Sequence, residues 1–132
     1  MGNAVRIGVV SSVNEQKASV RVAFFDQDDM VSDELPILFL PSSAKTFAVP
    51  KVGDSVVCIF SNGDGFVVGG YYGELDTAPS PDAQRLGIWY EDGSYVYYDR
   101  TNGTLNVKAT RGVKIEGDLV VTGSITRAGE VL

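Results

Sequence analysis

Gly117-Asp118-Leu119-Val120-Val121-Thr122-Gly123-Ser124-Ile125-Thr126-Arg127-Ala128-Gly129-Glu130-Val131 sets a glycine, a polar residue and an aliphatic residue side by side at intervals of six. This is an internal repeat. Extended chain alternates its faces, so Val113 with Ile115, and Leu119 with Val121, put aliphatic residues on one side, while Lys114, Glu116, Val120 and Thr122 take the other. Gly112, Gly117, Gly123 and Gly129 fall where the chain should turn corners, which glycine suits because it accepts positive φ and close backbone approach. Three such hexads make about one coil of a solenoid, and a lone coil cannot bury its own apolar face. Three chains wound about one axis would stack the short strands 113–116, 119–122 and 124–126 into a triangular prism. Val113, Ile115, Leu119, Val121, Ile125 and Val131 would form its trimer core, each fully buried Leu or Ile contributing about 1.5–3 kcal/mol per copy. The alternative for the same residues is a β-hairpin tail folded back on the rest of the chain.

Upstream, no window holds apolar residues at i, i+3, i+4 and i+7, whereas short β-branched or alternating runs bounded by Gly, Asp, Asn and Pro recur. The chain is therefore expected to be all-β. Strands are predicted at 4–10, 18–25, 36–39, 55–60 and 65–71, with turns at 13–17 and 61–63. Five strands in a stretch this short leave two bare edges unless the sheet closes, and a five-stranded OB-fold-like barrel is one way to close it. Residues 41–50 are read as either a short helix or a loop. Domain 1–75 would be this barrel, and 76–83, with Asp76, Pro79, Ser80, Pro81 and Asp82, a linker. Domain 84–132 would be a short β-helical spike, starting with strands at 87–90, 95–99 and 104–108. Its turns are marked by Glu91-Asp92-Gly93, Thr101-Asn102-Gly103 and Arg111-Gly112.

Composition narrows the chemistry. The 132 residues suit one modest domain with an extension. No stretch approaches the roughly 20 apolar residues of a membrane span, and the N-terminus lacks a basic leader with a long apolar run, so a soluble protein that is not Sec-exported is expected. There is no histidine, and the single Cys58 lies in the apolar run Val56-Val57-Cys58-Ile59-Phe60. Triads that need His are thus excluded, Cys58 is expected to be a small buried hydrophobe, and neither catalytic residues nor a cofactor are expected. Asp26, Asp28, Asp29, Asp33 and Glu34 make the one carboxylate cluster. As a calcium loop it fails, with Val31 where position six needs glycine and Ile37 where position twelve needs glutamate, so no metal is expected.

Two rival functions use the same residues. An OB-like barrel can bind single-stranded nucleic acid through aromatics in a basic groove, and Phe24, Phe25, Phe60, Phe66, Tyr71 and Tyr72 are available. Residues 1–75, however, carry five basic against nine acidic side chains, and the whole chain has a net charge of −6, which repels phosphate. No nucleic-acid partner is expected. Trp89, Tyr90, Tyr95, Tyr97 and Tyr98 are dense enough to suggest a glycan-binding tail protein, although in alternating strands they more often pack on neighbours.

The order of several motifs resembles the baseplate assembly protein V family of contractile-tailed phages. In the first half these are Arg6-Ile7-Gly8-Val9-Val10, Val31-Ser32-Asp33-Glu34-Leu35-Pro36, Val49-Pro50-Lys51-Val52-Gly53-Asp54 with Val56-Val57-Cys58, and 65–72. Beyond the linker they are Gly87-Ile88-Trp89-Tyr90-Glu91-Asp92-Gly93, Tyr98-Asp99, Thr104-Leu105 and the hexads. The resemblance implies an OB-fold hub that trimerises at the baseplate centre and an intertwined triple-stranded β-helix that pierces the cell envelope. Such a protein would be assembled in the bacterial cytoplasm into a virion or phage-tail-like particle. Its partners would be two further copies, other baseplate and tail-tube proteins and, transiently, the bacterial envelope. Longer members end in a tip whose His-x-His pair binds iron; this sequence has no histidine. Its spike is expected to be short, and either a PAAR-like cap sits on its end or the last residues fray.

Overall fold

Two long strands, β1 (Ala4–Asn14) and β2 (Ser19–Phe24), pair antiparallel in the computed structural model, which describes residues 4–26, 30–128, 130 and 131. They are joined by β3 (Leu35–Pro36), β4 (Ser55–Ser61) and β5 (Asp64–Gly70) in one sheet of order β3-β2-β1-β4-β5. Its two edges meet. Ile37 bridges Val67 in parallel, and the Leu38 N–H donates to the Val67 carbonyl at 3.1 Å, so the sheet curls into a nearly closed barrel. Closure uses up backbone groups that a flat sheet would leave bare. The β4–β5 hairpin turns on Asn62-Gly63, both at positive φ (52° and 91°), the geometry a two-residue turn between right-twisted strands requires.

The core follows from alternation. Val20, Val22 and Phe24 of β2 point inward together with Val10, Leu35, Val56, Cys58 and Val67, and the rings of Phe24 and Phe60 meet edge to face at 5.7 Å. A bulge between Val10 and Ser12 changes the parity of β1, so that Val10 faces the core before it and Val13 packs on the core after it. That bulge lets β1 run four residues beyond the predicted end at 10, through Ser11 and Ser12 and into the first two residues of the turn predicted at 13–17. Gly8 lies where β1 and β2 press together. A Cβ there would overlap the Ala23 carbonyl oxygen and come within 2.7 Å of Val22 Cγ1, so this position accepts only glycine.

Cys58 is wholly buried, and desolvation pushes its thiol up to about 11 from an ordinary 9.0. Only the thiolate reacts. In native protein at pH 8 the thiol is therefore expected to resist maleimide and to be labelled at the rate of unfolding; rapid stoichiometric labelling would contradict its place in the core.

One sequence expectation needs correction here, and one open alternative is decided. The strand predicted at 36–39 is only Leu35–Pro36 plus the Ile37 bridge, because the chain here crosses from β2 to β5: the Ile37 N–H still donates to the Ala18 carbonyl (3.0 Å), while Ile37 and Leu38 turn to Val67. Residues 41–50 form no helix; they are a loop with a bend at 42–44.

The chain divides into two units, Met1–Ala78 and Pro79–Leu132, and the division falls within 76–83. In the second unit β6 (Arg85–Trp89), β7 (Tyr95–Asp99) and β8 (Thr104–Lys108) form an antiparallel meander. Its turns hold Gly93 and Gly103 at positive φ, as the Asp92-Gly93 and Asn102-Gly103 pairs lead one to expect. The Asp92 carboxylate accepts from the Ser94 N–H (2.9 Å) and the Thr110 hydroxyl (3.1 Å), bonds that hold it below its usual range. The strands predicted at 113–116, 119–122 and 124–126 are absent from the single chain. No strand occurs in 109–125; only β9 (Thr126–Arg127) and β10 (Glu130–Val131) pair, in a minimal hairpin with Ala128 at positive φ. A strand exists only with a partner, and these residues have none within one chain. The architecture is all-β: an OB-like barrel followed by further β elements.

Candidate assembly surfaces

The β6–β8 meander has two unlike faces, fixed by register. Leu86, Tyr98 and Leu105 lie directly across from one another, as do Ile88, Val96 and Val107. All six are therefore on one face, and all six are exposed. The other face is self-contained. Tyr97 lies across from Gly87, whose missing side chain makes room for it; a Cβ at Gly87 would overlap the Val96 carbonyl oxygen and Tyr97 Cα. With that space free, the Tyr97 ring stacks on Trp89 (5.5 Å, 11°), tilts against Tyr95 (5.0 Å) and carries the Arg85 guanidinium at 5.3 Å, while Lys108 sits 5.8 Å from the Tyr95 ring. Rings and cations on this face contact one another and leave its rings half-buried, whereas the six residues of the opposite face are exposed.

Downstream, the expected trimer-core residues Val113, Ile115, Leu119, Val121, Ile125 and Val131 are all exposed, Leu119 at 68%. Lys114 and Glu116 pair at 3.0 Å, as side chains two apart on one side of extended chain do. Of the expected corner glycines, Gly112 (φ 108°) and Gly117 (φ 134°) hold positive φ; Gly123 lies in a bend without it, and Gly129 is outside the described residues.

Every buried apolar side chain belongs to the barrel: Val10, Val20, Val22, Phe24, Leu35, Val56, Cys58 and Val67. From Pro79 onward no described residue is buried. A unit with aligned aliphatic rows and no core must cover those rows with something else, since burial is the main favourable term in folding. Sequence reasoning picked out the hexads but not the apolar face of β6–β8. Its signal was present in the alternation of Leu86 and Ile88, and of Leu105 and Val107, in runs too short to stand out.

The remaining candidate chemistry is scattered. Among the described residues no three Cys, Asp or Glu side chains gather into a metal-binding group; Asp28 and Asp29 lie outside them. Glu34 accepts from Asn14 Nδ2 (3.0 Å) and lies 3.8 Å from Lys17 Nζ, tying down the β1–β2 turn. Of the aromatics considered for a nucleic-acid groove, Phe24 is buried and Phe60 packs against the core. Arg6, named in the sequence only as the first residue of a motif, lies over both rings at 5.4 and 5.8 Å.

An exposed apolar face on β6–β8, followed by exposed aliphatic side chains through the hexads, is what a fibrous or spike-like assembly would present. The chain is similar to a phage spike protein. Over 133 residues it is 27% identical to the spike protein of Escherichia phage P2, an alignment that takes in 98% of this chain. The chain spans 57% of the length of that relative. No protein-family model matches it. The likeness to the P2 spike protein extends through barrel, meander and hexads, so it does not rest on the barrel alone.

Proposed function

We propose that this chain is a structural tail-spike protein without enzymatic activity, a member of the baseplate assembly protein V type, which acts as a homotrimer at the baseplate centre of a contractile tail. In this reading the barrel is the hub that meets other baseplate and tail-tube proteins. The meander and hexads of three chains wind together into the spike that meets the bacterial envelope, and a PAAR-like protein caps its end. The observation that carries the proposal is that no described residue from Pro79 onward is buried, although Leu86, Ile88, Val96, Leu105 and Val107 share one face of the β6–β8 meander. Three such faces turned to a common axis would bury one another, and closed symmetry would leave few strand edges bare. The 27% identity to the P2 spike protein supports the same role.

Neither rival gains support. Trp89, Tyr95 and Tyr97 pack on one another, and the barrel rings Phe24 and Phe60 pack at its core beneath Arg6. Antibody raised against the chain and detected by immunogold on intact particles is expected to label the tail tip, one site per particle; label along the tube or none on particles would refute the role.

A further inference from the structure

The outer surface of the barrel carries an apolar patch that its fold does not require. On β1 the outward residues are Val5, Ile7 and Val9; Val5 lies across from Ile59 of β4, and Ile7 across from Val57. Phe25, whose N–H donates to the Ile7 carbonyl at 3.4 Å, extends the patch, and a shallow groove there is lined by Val5, Arg6, Ile7, Phe25 and Asp26. Val5, Ile7, Phe25 and Ile59 are all exposed. A sheet face in water normally alternates to polar residues, and here it does not.

The same barrel carries a second apolar feature elsewhere. Residues 38–50, between β3 and β4, cross the closing seam as an irregular strap pinned by the Leu38 N–H on Val67, and expose Leu38, Phe39, Leu40 (84%) and Phe47 (73%). The strap has one charged residue, Lys45. Of the groove's two charged residues, Arg6 sets its guanidinium over the Phe24 and Phe60 rings, which leaves Asp26 as the acid at the rim. Strap and patch sit at different places on the barrel. The strap lies by Val67 and Ala18, whereas the patch is at the Val5 end of β1, away from Val10, where β1 bonds to Asp54 and Gly53.

We infer that the strap of one copy docks on the β1–β4 outer patch of the next, with Leu40 and Phe47 against Val5, Ile7, Phe25 and Ile59, and Lys45 beside Asp26. The occupant is a second copy because the two features match in both character and charge: an apolar strap whose one charged residue is Lys45 meets an apolar groove where, with Arg6 engaged over Phe24 and Phe60, Asp26 is the charge left at the described rim. Different surfaces on the two partners make the contact head-to-tail, and such contacts close into rings when the rotation allows. The inference rests on the trimeric reading above and names the hub surfaces that close it.

The test is a full-length double variant, Phe25→Cys with Phe47→Cys, treated with a short bis-maleimide, Cys58 being sequestered in the core. Light scattering on the same sample reports its mass. The expected result is a covalent ladder of dimers and trimers on a denaturing gel from the double variant, and single chains from either single variant. In that background Lys45→Glu should cut the cross-linked yield several-fold, and adding Asp26→Lys should restore it. A trimeric mass without the ladder overturns the strap contact while leaving the trimer standing, and means that another tail protein covers the patch. Efficient cross-linking in a single variant overturns it too, because like then meets like. A monomeric mass removes both the contact and the trimeric reading.

Discussion

Leu119→Asp is expected to leave the protein as single chains at micromolar concentration, whereas Lys114→Asp leaves its assembly intact. Leu119 is exposed in the single chain and Lys114 pairs with Glu116; by the alternation of extended chain Leu119 is expected on the aliphatic side of the hexads and Lys114 on the other. If three Leu119 side chains meet at an axis, each contributes about 1.5–3 kcal/mol by burial, so three are worth roughly 5–9 kcal/mol. Substitution removes that and brings three carboxylates together out of water, where each raises the pKa of the others. The sign of the pH effect follows. With its pKa raised in the assembled state, the introduced Asp opposes assembly when ionised and does so less when protonated, so assembly should recover partly as pH falls below the raised value. Sedimentation velocity from pH 7 down to pH 4.5 reads both effects, and equal losses in the two variants would show that the faces are assigned wrongly.

Gly87→Val should break the β6–β8 meander while the barrel stays folded. The new side chain has to enter space occupied by the Val96 carbonyl and the Tyr97 backbone, which cannot rotate away as a side-chain tip can. Overpacking of this kind costs about 1–3 kcal/mol where neighbours can yield, and more where backbone must move. It also displaces Tyr97 from between Arg85 and Trp89. Trp89 is the one tryptophan in the sequence, so its emission reports on this sheet alone. A red shift of that emission with Cys58 still protected from maleimide is expected. Gly69→Ala, where nothing lies within 4 Å of the added carbon, should change neither. Unshifted Trp89 emission in Gly87→Val would contradict the close approach of β6 and β7.

These variants depend on features that the sequence disclosed unequally. The barrel strands were legible because their signals are local: Val20, Val22 and Phe24 alternate, and Asn62-Gly63 states its turn. The continuation of β1 through Ser11 and Ser12 was not, since a bulge changes parity and polar residues then occupy a strand. The strand suggested at 36–39 shortened because Ile37 and Leu38 leave β2 for Val67 of β5, a closure that no local window shows. The hexads disclosed an apolar row, yet the strands expected at 113–126 do not form within one chain, because a repeat fixes which side chains share a face and leaves their partners unspecified. The apolar face of β6–β8 and the strap-and-patch pair depend on register and closure, which bring together residues such as Leu86 and Leu105, or Phe25 and Ile7, that no local window joins.

All of this turns on whether the aliphatic rows of the second unit are covered by copies of the same chain. The mass of the full-length protein in solution, measured by light scattering across a micromolar concentration range, answers that directly. Three times the 14.1 kDa of one chain, independent of dilution, is the expected result; a mass of 14.1 kDa throughout would contradict the account.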